Sequence, residues 1–329
     1  MCGFKLKGEQ LSKKALITGI TGMAGSHLAD YLLTLDGVEV NGTKRWRSRE
    51  ENIAHLHGKI NLYDCDLRDY KNVLEVVETV KPDFIFHLAA QSFVPTSWES
   101  PAQTIKDNTE MQVNIFEAVR EAGFDPVVQI ALSSEEYGLV HPDEVPTNEE
   151  NPLRPLSPYA VSKVAQDMLG YQYFMSYGLK VIRTRTFNHE GPRRGEVFVT
   201  SNFAKQIAEI EVGKKEPVIE VGNLNAKRDW SDVRDVVRGY WLSVNKCKSG
   251  EVYVIASGKT RTIQEMLDTL LGLSKVKVKI KKDPKRMRPS DVEILWGDYS
   301  KFNKQTGWKP TIPFEKTLGD LLNYWRERV

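Results

Sequence analysis

Three cysteines, Cys2, Cys65 and Cys247, are all that the 329 residues contain. They are scattered, with no metal-ligand spacing and no disulfide framework, so a reducing cytoplasm is the expected setting and no metal site is expected. Long apolar runs are missing too. Nothing approaches the roughly 18 residues of a membrane helix, and Met1 to Lys14 lacks the apolar centre of a signal peptide, so residues 1–13 read as a short surface extension. Nor is there an excess of one charge: 46 basic residues stand against 44 acidic ones. That balance gives no global field for nucleic acid. Internal repeats and low-complexity tracts are also absent, which leaves an ordinary globular chain long enough to bury a large core.

What is present begins with glycine. Ala15-Leu16-Ile17 reads as a buried strand, Gly19-Ile20-Thr21-Gly22-Met23-Ala24-Gly25 follows, and His27 to Leu33 resumes with helical spacing. A glycine loop between strand and helix lets backbone N–H groups and the helix N-terminus approach a phosphate. Gly19, Thr21, Gly22, Met23 and Gly25 are therefore expected to hold a dinucleotide pyrophosphate. A tight strand-to-helix turn without any cofactor would use the same glycines.

The second strand, Val38 to Thr43, leads into Lys44-Arg45-Trp46-Arg47-Ser48-Arg49. An acidic residue there would bind a ribose 2′-hydroxyl, whereas arginine accommodates a 2′-phosphate, so Arg45 points to NADP. Tyr63 to Leu67 and Phe84 to Ala90 read as the ends of the third and fourth strands. Asp66, Leu67, Leu88, Ala89 and Ala90 would line the adenine and ribose, their small members leaving room. Strand and helix patterns alternate to about residue 185, as in a Rossmann-type doubly wound parallel sheet of α/β class. From about residue 190 the texture is mixed, which suggests a smaller α/β substrate-binding region with segments returning to the first domain. The expected division is 14–188 for NADP and 189–329 mainly for substrate. In Lys275 to Lys281 a period of two suggests an edge strand with valines and isoleucine on one face and lysines on the other.

The chemistry is expected around Ser133-Ser134-Glu135-Glu136-Tyr137-Gly138 and Tyr159-Ala160-Val161-Ser162-Lys163. Tyr159 and Lys163 at i, i+4 share a helix face, so an ammonium could lower the phenol's pKa. Ser133, at the end of a neighbouring strand, could hydrogen-bond the same substrate oxygen. Glu135, at the next position but one, would face the same way if the strand continued. Such a set removes a proton from an alcohol while hydride leaves its carbon.

The two motifs just named, with Gly19 to Gly25 and Leu88-Ala89-Ala90-Gln91-Ser92, resemble the extended short-chain dehydrogenase/reductases that act on nucleotide sugars. Phe187 to Glu196, Arg228-Asp229-Trp230 and Arg288-Pro289-Ser290-Asp291-Val292 narrow this to a likeness with the GDP-mannose 4,6-dehydratase family, from about Lys14 to Gly307-Trp308-Lys309-Pro310. The resemblance implies a lyase of deoxysugar biosynthesis: NADP-dependent conversion of GDP-mannose into GDP-4-dehydro-6-deoxy-D-mannose and water. Tyr159 would be the base at the 4-hydroxyl, Lys163 its activator and ribose anchor, and Ser133 a partner at that oxygen. Glu135 would take the C5 proton and assist loss of the 6-hydroxyl. Ser92, His189 and Arg194 would touch the cofactor; Gln91, Asn188, Val199, Lys205, Arg228 and Arg288 would hold the GDP-sugar.

Departures from the family pattern are plain. Met23 and Ala24 stand where glutamine and aspartate are usual, Trp46 replaces a second arginine in a shortened loop, and Gln103 replaces a tyrosine. Phe198-Val199-Thr200, Asn202 to Ile207 and Trp230 to Asp235 resemble instead the NADPH-dependent GDP-4-keto-6-deoxy-D-mannose reductases, which can share the Ser-Ser-Glu-Glu-Tyr-Gly run. That reaction, a 4,6-dehydratase or epimerase of another GDP-sugar such as a heptose, and a non-catalytic nucleotide-binding protein stay open as alternatives. The resemblance further implies a homodimer or homotetramer paired through helices at 108–122 and 159–177. Met168, Leu169, Tyr173 and Phe174 would serve either that bundle or the core.

Overall fold

The computed structural model describes residues 12–284 and 292–329. Arg288, expected at the substrate, and most of the proposed extension lie outside the described residues. Lys13, assigned from sequence to that extension, is instead the first residue of a strand.

In chain order the first half comprises β1 (Lys13–Thr18), α1 (Met23–Leu32), β2 (Val38–Lys44), β3 (Asn61–Asp64), α2 (Tyr70–Val80), β4 (Phe84–His87), α3 (Val94–Glu99), α4 (Pro101–Ala122), β5 (Val127–Ser133), α5 (Pro158–Tyr177) and β6 (Val181–Thr186). The rest is β7 (Asn188–Glu190), α6 (Val199–Glu211), β8 (Val218–Val221), β9 (Lys227–Asp232), α7 (Val233–Lys246), β10 (Val252–Ile255), β11 (Thr260–Thr262), α8 (Ile263–Gly272), β12 (Lys279–Lys282), β13 (Ile294–Leu295), α9 (Ser300–Thr306) and α10 (Phe314–Arg326). Seven strands form a sheet in the order β10-β6-β5-β4-β1-β2-β3, parallel throughout. The order reverses between β1 and β4, and a doubly wound sheet opens a crevice at such a point, outside the carboxyl ends of its strands.

Both faces of the sheet are covered, which is why β1, β4 and β10 read as continuous apolar runs rather than alternating ones. On one face α1, α7 and α9 enclose Ile17, Leu28, Val236 and Trp308; on the other α2, α4 and α5 enclose Val77, Phe116, Val128 and Ile130. β10 and α7 come from beyond residue 230 and complete this layer. A third core gathers α6, α8 and α10 around Ile207, Leu267 and Leu318, each buried aliphatic side chain contributing about 1.5–3 kcal/mol. Beside it lies a four-stranded sheet in which β9 is flanked by β7, β11 and β13.

Two sequence expectations change here. In the lysine-rich segment only β12 is strand, paired in parallel with β8; Val276 and Val278 pack on the third core, but Ile280 is 42% exposed. A two-stranded ribbon has no opposing layer for that end, so the alternation does not translate into burial along the entire run. Of the residues considered for a subunit interface, Tyr173 and Leu169 pack into the sheet core. Met168 is exposed, together with Val161, Tyr171 and Met175 on the same helix.

Candidate active site

The cofactor side is built from the first turn of the fold. Gly19 has φ +68°, a left-handed conformation that favours glycine, and a Cβ there would lie 2.9 Å from the Cα of Ala89. A Cβ on Gly25 would lie 2.4 Å from the carbonyl oxygen of Gly19. Gly22 is the N-cap of α1, with no side-chain cap and no acidic residue in the first turn. The first-turn N–H groups are therefore left for an external anion. Thr18 braces this turn: its hydroxyl meets Nδ1 of His87 at 2.9 Å and accepts the N–H groups of Leu88 and Ala89 at 3.1 and 3.2 Å. Those bonds hold Leu88, Ala89 and Ala90 against the glycine loop. Thr18 opens the glycine-rich run in the sequence, but its bracing role, and His87 as its partner, were not expected; a threonine ending an apolar strand at a glycine loop was the available signal. Thr21 is anchored through its carbonyl, which accepts from Asn52.

Arg45 follows β2 directly and is exposed, with no ion pair to its guanidinium among the described residues. Beyond it Arg47 stacks over Trp46, 4.5 Å from the ring centre. Asp66 sits near Arg45 but is gripped by Arg68, whose Nη2 lies 2.6 Å from its Oδ2 and which holds its pKa below the ordinary value. Leu67 is buried in the core of the α2 face and Ser92 is exposed. A glycine cradle that a Cβ would fill, an uncapped helix N-terminus and an exposed arginine beyond the second strand fit a dinucleotide phosphate with a further phosphate on its ribose.

The chemical side lies where β5 ends. Ser133 closes the strand, and Ser134 to Glu136 fold into a single 3-10 turn. Ser133 Oγ accepts from the N–H of Glu135 at 3.2 Å while the N–H of Ser133 donates to Glu136 Oε1 at 2.8 Å, a reciprocal cap. Glu135 therefore is not on a strand, as expected from sequence, but on a turn that a serine cap imposes. It still lies near enough to Tyr159 to act on its phenol, as does Ser133, whose hydroxyl favours the phenolate.

Tyr159 and Lys163 lie near the start of α5, which Ser157 caps by accepting from the N–H of Ala160 at 3.1 Å and which Pro158 opens. Both side chains are buried. Their relation differs from expectation. Lys163 donates to the carbonyl of Ala131 at 2.8 Å, and its Nζ lies 5.9 Å from the centre of the tyrosine ring. Burial raises the phenol's pKa, and Ser133 and Arg194 act against that rise. Burial likewise lowers Lys163 to about 8. Helical spacing sets a shared face but not where a long ammonium finds its acceptor.

Arg194 and His189 join this cluster. The Arg194 guanidinium lies 3.5 Å from the Phe198 ring centre and 3.5 Å from Glu190. Burial and Arg194 lower His189 to about 4, and its Nδ1 lies 3.1 Å from the carbonyl of Phe187. On the substrate side, Gln91 is folded back on its own loop, bonded to the backbone of Phe93. Asn108, buried on α4, fixes that loop by accepting the N–H of Gln91 at 2.8 Å and donating to its carbonyl at 3.1 Å. Asn108 was not singled out from sequence; a buried amide amid the apolar face of a crossover helix was its only mark. Phe93 meets Phe198 edge to face at 5.6 Å, joining the two sides of the cleft.

Four expected sugar contacts lie on other elements. Asn188 is on β7 beside Trp230 of β9, and Val199 opens α6. Arg228 is buried on β9 and donates to the carbonyl of Lys227 at 2.9 Å. The ammonium of Lys205 is turned to Glu196, Glu209 and the Trp325 ring.

The geometry has clear relatives. The family model described as GDP-mannose 4,6 dehydratase matches residues 16–321. A GDP-mannose 4,6 dehydratase of Drosophila melanogaster is 34% identical over 96% of this chain and 87% of its own length. A GDP-6-deoxy-D-mannose reductase of Pseudomonas aeruginosa is 31% identical over 97% of this chain and 99% of its own. The solved structure of RMD from Pseudomonas aeruginosa complexed with NADPH superposes with a TM-score of 0.84 at 30% identity, covering 97% of this chain and 100% of that one. From a shared fold and a likeness that runs almost end to end, the chain belongs to the GDP-mannose 4,6-dehydratase family.

Proposed function

We propose that this protein converts GDP-mannose into GDP-4-dehydro-6-deoxy-D-mannose and water by internal redox. The observation that carries the reading is the meeting of a carboxylate, Glu135, with a buried tyrosine, lysine and serine at one end of β5. Oxidation of an alcohol needs only the last three. The carboxylate adds what a dehydratase requires, a base for the carbon acid created next to the new ketone.

When bound, NADP supplies reversible hydride acceptance, so that oxidation at C4 and reduction at C6 cancel over one turnover. Tyr159 takes the proton of the 4-hydroxyl, Ser133 holds that oxygen, and Lys163 holds the ribose and supplies positive charge behind the phenol. Glu135 takes the C5 proton and returns one to the departing 6-hydroxyl, which leaves as water. Gly19, Thr21, Gly22, Met23 and Gly25 seat the pyrophosphate; Arg45 meets the 2′-phosphate; Asp66, Leu67, Leu88, Ala89, Ala90 and Ser92 line the adenine and ribose; His189 and Arg194 close the nicotinamide side. Gln91, Asn188, Val199, Arg228 and Arg288 hold the GDP-sugar. Lys205, engaged by two glutamates, would act there only by exchanging one of them for a phosphate.

Residues 14–188 serve mainly the cofactor and 189–329 mainly the sugar nucleotide, with α7 and β10 returning to the first layer. The exposed Val161, Met168, Tyr171 and Met175 on α5 support a homodimer or homotetramer. Free thiols at Cys65 and Cys247 support a cytoplasmic setting, and among the described residues no helix is long and apolar enough to cross a membrane.

A second reading, reduction of the 4-keto sugar by NADPH, draws on the reductase relative of Pseudomonas aeruginosa. One experiment separates the two. Incubation with GDP-mannose and no added reductant should give a product lighter by one water, with no net loss of NADPH. Stoichiometric NADPH consumption on the ready-made keto sugar, with GDP-mannose untouched, would move the assignment to the reductase.

A further inference from the structure

Behind Ser133 the same turn carries a carboxyl that the chemistry above leaves unused. Glu136 is fully enclosed, with 0% of its surface exposed. Its Oε1 accepts the Ser133 N–H at 2.8 Å, whereas no donor is aimed at Oε2 among the described residues. Asp167, Lys163 and Tyr159 face it from α5, Arg185 from β6, and Tyr137 from its own turn, with Glu149 beyond Tyr137.

Both nearby guanidinium groups are committed to Asp167. Arg183 Nη1 lies 2.6 Å from Oδ1, and Arg185 reaches Oδ2 through Nη2 at 2.7 Å and Nε at 2.8 Å. Arg185 Nε is 3.6 Å from Glu136 Oε2, beyond hydrogen-bond range. An ionised Glu136 would thus place a second negative charge beside Asp167 in a dry interior, with one oxygen lacking a hydrogen bond and met only by the long Arg185 contact. A proton on Oε2 removes both faults, because it neutralises the group and turns the orphaned oxygen into a donor to Asp167. Burial first and Asp167 second push the pKa of Glu136 well above the carboxylate range, in the same direction.

Resting on the reading of the site given above, we infer that Glu136 is a protonated positioning residue. Its neutral carboxyl locks the Ser133–Glu135 turn from below, accepting from the Ser133 N–H and donating to Asp167. Ser133 and Glu135 are held toward Tyr159 without a second buried negative charge beside Asp167.

The test uses the purified holoenzyme. An infrared difference spectrum between the parent and Glu136→Gln at neutral pH should show a protonated-carboxyl C=O band in the parent that the variant lacks. Carboxylate bands in its place overturn the inference. With GDP-mannose as substrate, Glu136→Ala should lower kcat by roughly 10–100-fold with little change in KM. Glu136→Gln, which keeps one acceptor and one donor, should recover most of that loss and leave the basic limb of the pH profile in place. If the limb instead moves down by about one pH unit or more, the carboxylate charge was supporting Lys163 and the inference fails; it fails as well if Glu136→Ala matches the parent kcat. A parent with no dehydration activity but with the infrared band would sink the functional reading and leave the protonation state standing.

Discussion

Lys163 lies over the ring of Tyr159, its Nζ 5.9 Å from the ring centre, and gives its hydrogen bond to the carbonyl of Ala131 at 2.8 Å. The pair is therefore coupled through a shared buried pocket and not through a direct contact between ammonium and phenolic oxygen. The lysine's charge is costly there, which is why burial brings it down to about 8.

The first prediction concerns pH. The ammonium is present below about 8 and lost above it, so kcat/KM should fall as pH rises through that value. Stability carries the opposite sign. The unfolded lysine keeps its proton to about 10.4, so between the two values the unfolded chain binds more protons and this site's contribution to stability rises with pH. Lys163→Arg keeps a cation that does not titrate in this range, at the expense of fit. Its profile should lose the basic limb even if kcat drops; a limb that stays in place would assign it to another group.

A second prediction tests the glycine cradle. In Gly25→Ala the new methyl would lie 2.4 Å from the Gly19 carbonyl oxygen, so the strand-to-helix turn must open, at a cost of about 1–3 kcal/mol. Thermal unfolding should shift down and retention of NADP(H) through purification should weaken. Gly272→Ala makes the contrast, because a Cβ there meets nothing within 4 Å. It should be neutral or slightly stabilising. Equal behaviour of the two variants would mean that the turn is not sterically fixed.

Much of this was legible in the chain. The alternation of apolar runs and helical periods set the sheet, because a strand buried on both faces leaves an unbroken apolar signature, as in Ala15-Leu16-Ile17, all of them buried. The glycine loop and the Tyr159–Lys163 spacing pointed to the candidate site because they are local in sequence. What escaped reading depends on contacts made across elements. Ser133 caps its own turn and so takes Glu135 off the strand, which a period-two extrapolation cannot foresee. Lys163 finds Ala131 on a neighbouring strand, Asn108 reaches the Gln91 loop from α4, and Lys205 is captured by two glutamates. Each is a choice among acceptors within reach of a flexible side chain, settled only by packing.

The third prediction concerns cofactor choice. Arg45 is the first exposed side chain after β2 and has no ion pair among the described residues. Arg45→Asp replaces an anion-binding fork with a carboxylate suited to a ribose hydroxyl. Affinity for NADPH should fall by about 10–100-fold, the worth of a charge-assisted hydrogen bond, while affinity for NADH should hold or rise. Fluorescence titration of both cofactors measures the ratio, and an unchanged ratio would remove Arg45 from the 2′-phosphate site.

The last prediction bears on Glu135. If it is the base at C5, Glu135→Gln removes that base while keeping the size and polarity of the side chain on the turn. Oxidation at C4 depends on Tyr159, Ser133 and Lys163 and should survive, so enzyme loaded with NADP should still form NADPH on mixing with GDP-mannose. Exchange of the C5 hydrogen with solvent deuterium should drop by roughly 100–10,000-fold, and release of the dehydrated sugar with it. The two readouts discriminate. Loss of both would mean that Glu135 positions the substrate or supports the phenol instead. Release of product at the parental rate would show that C5 is deprotonated by another group, and the cluster at the end of β5 would then be that of an alcohol dehydrogenase with a bystander carboxylate.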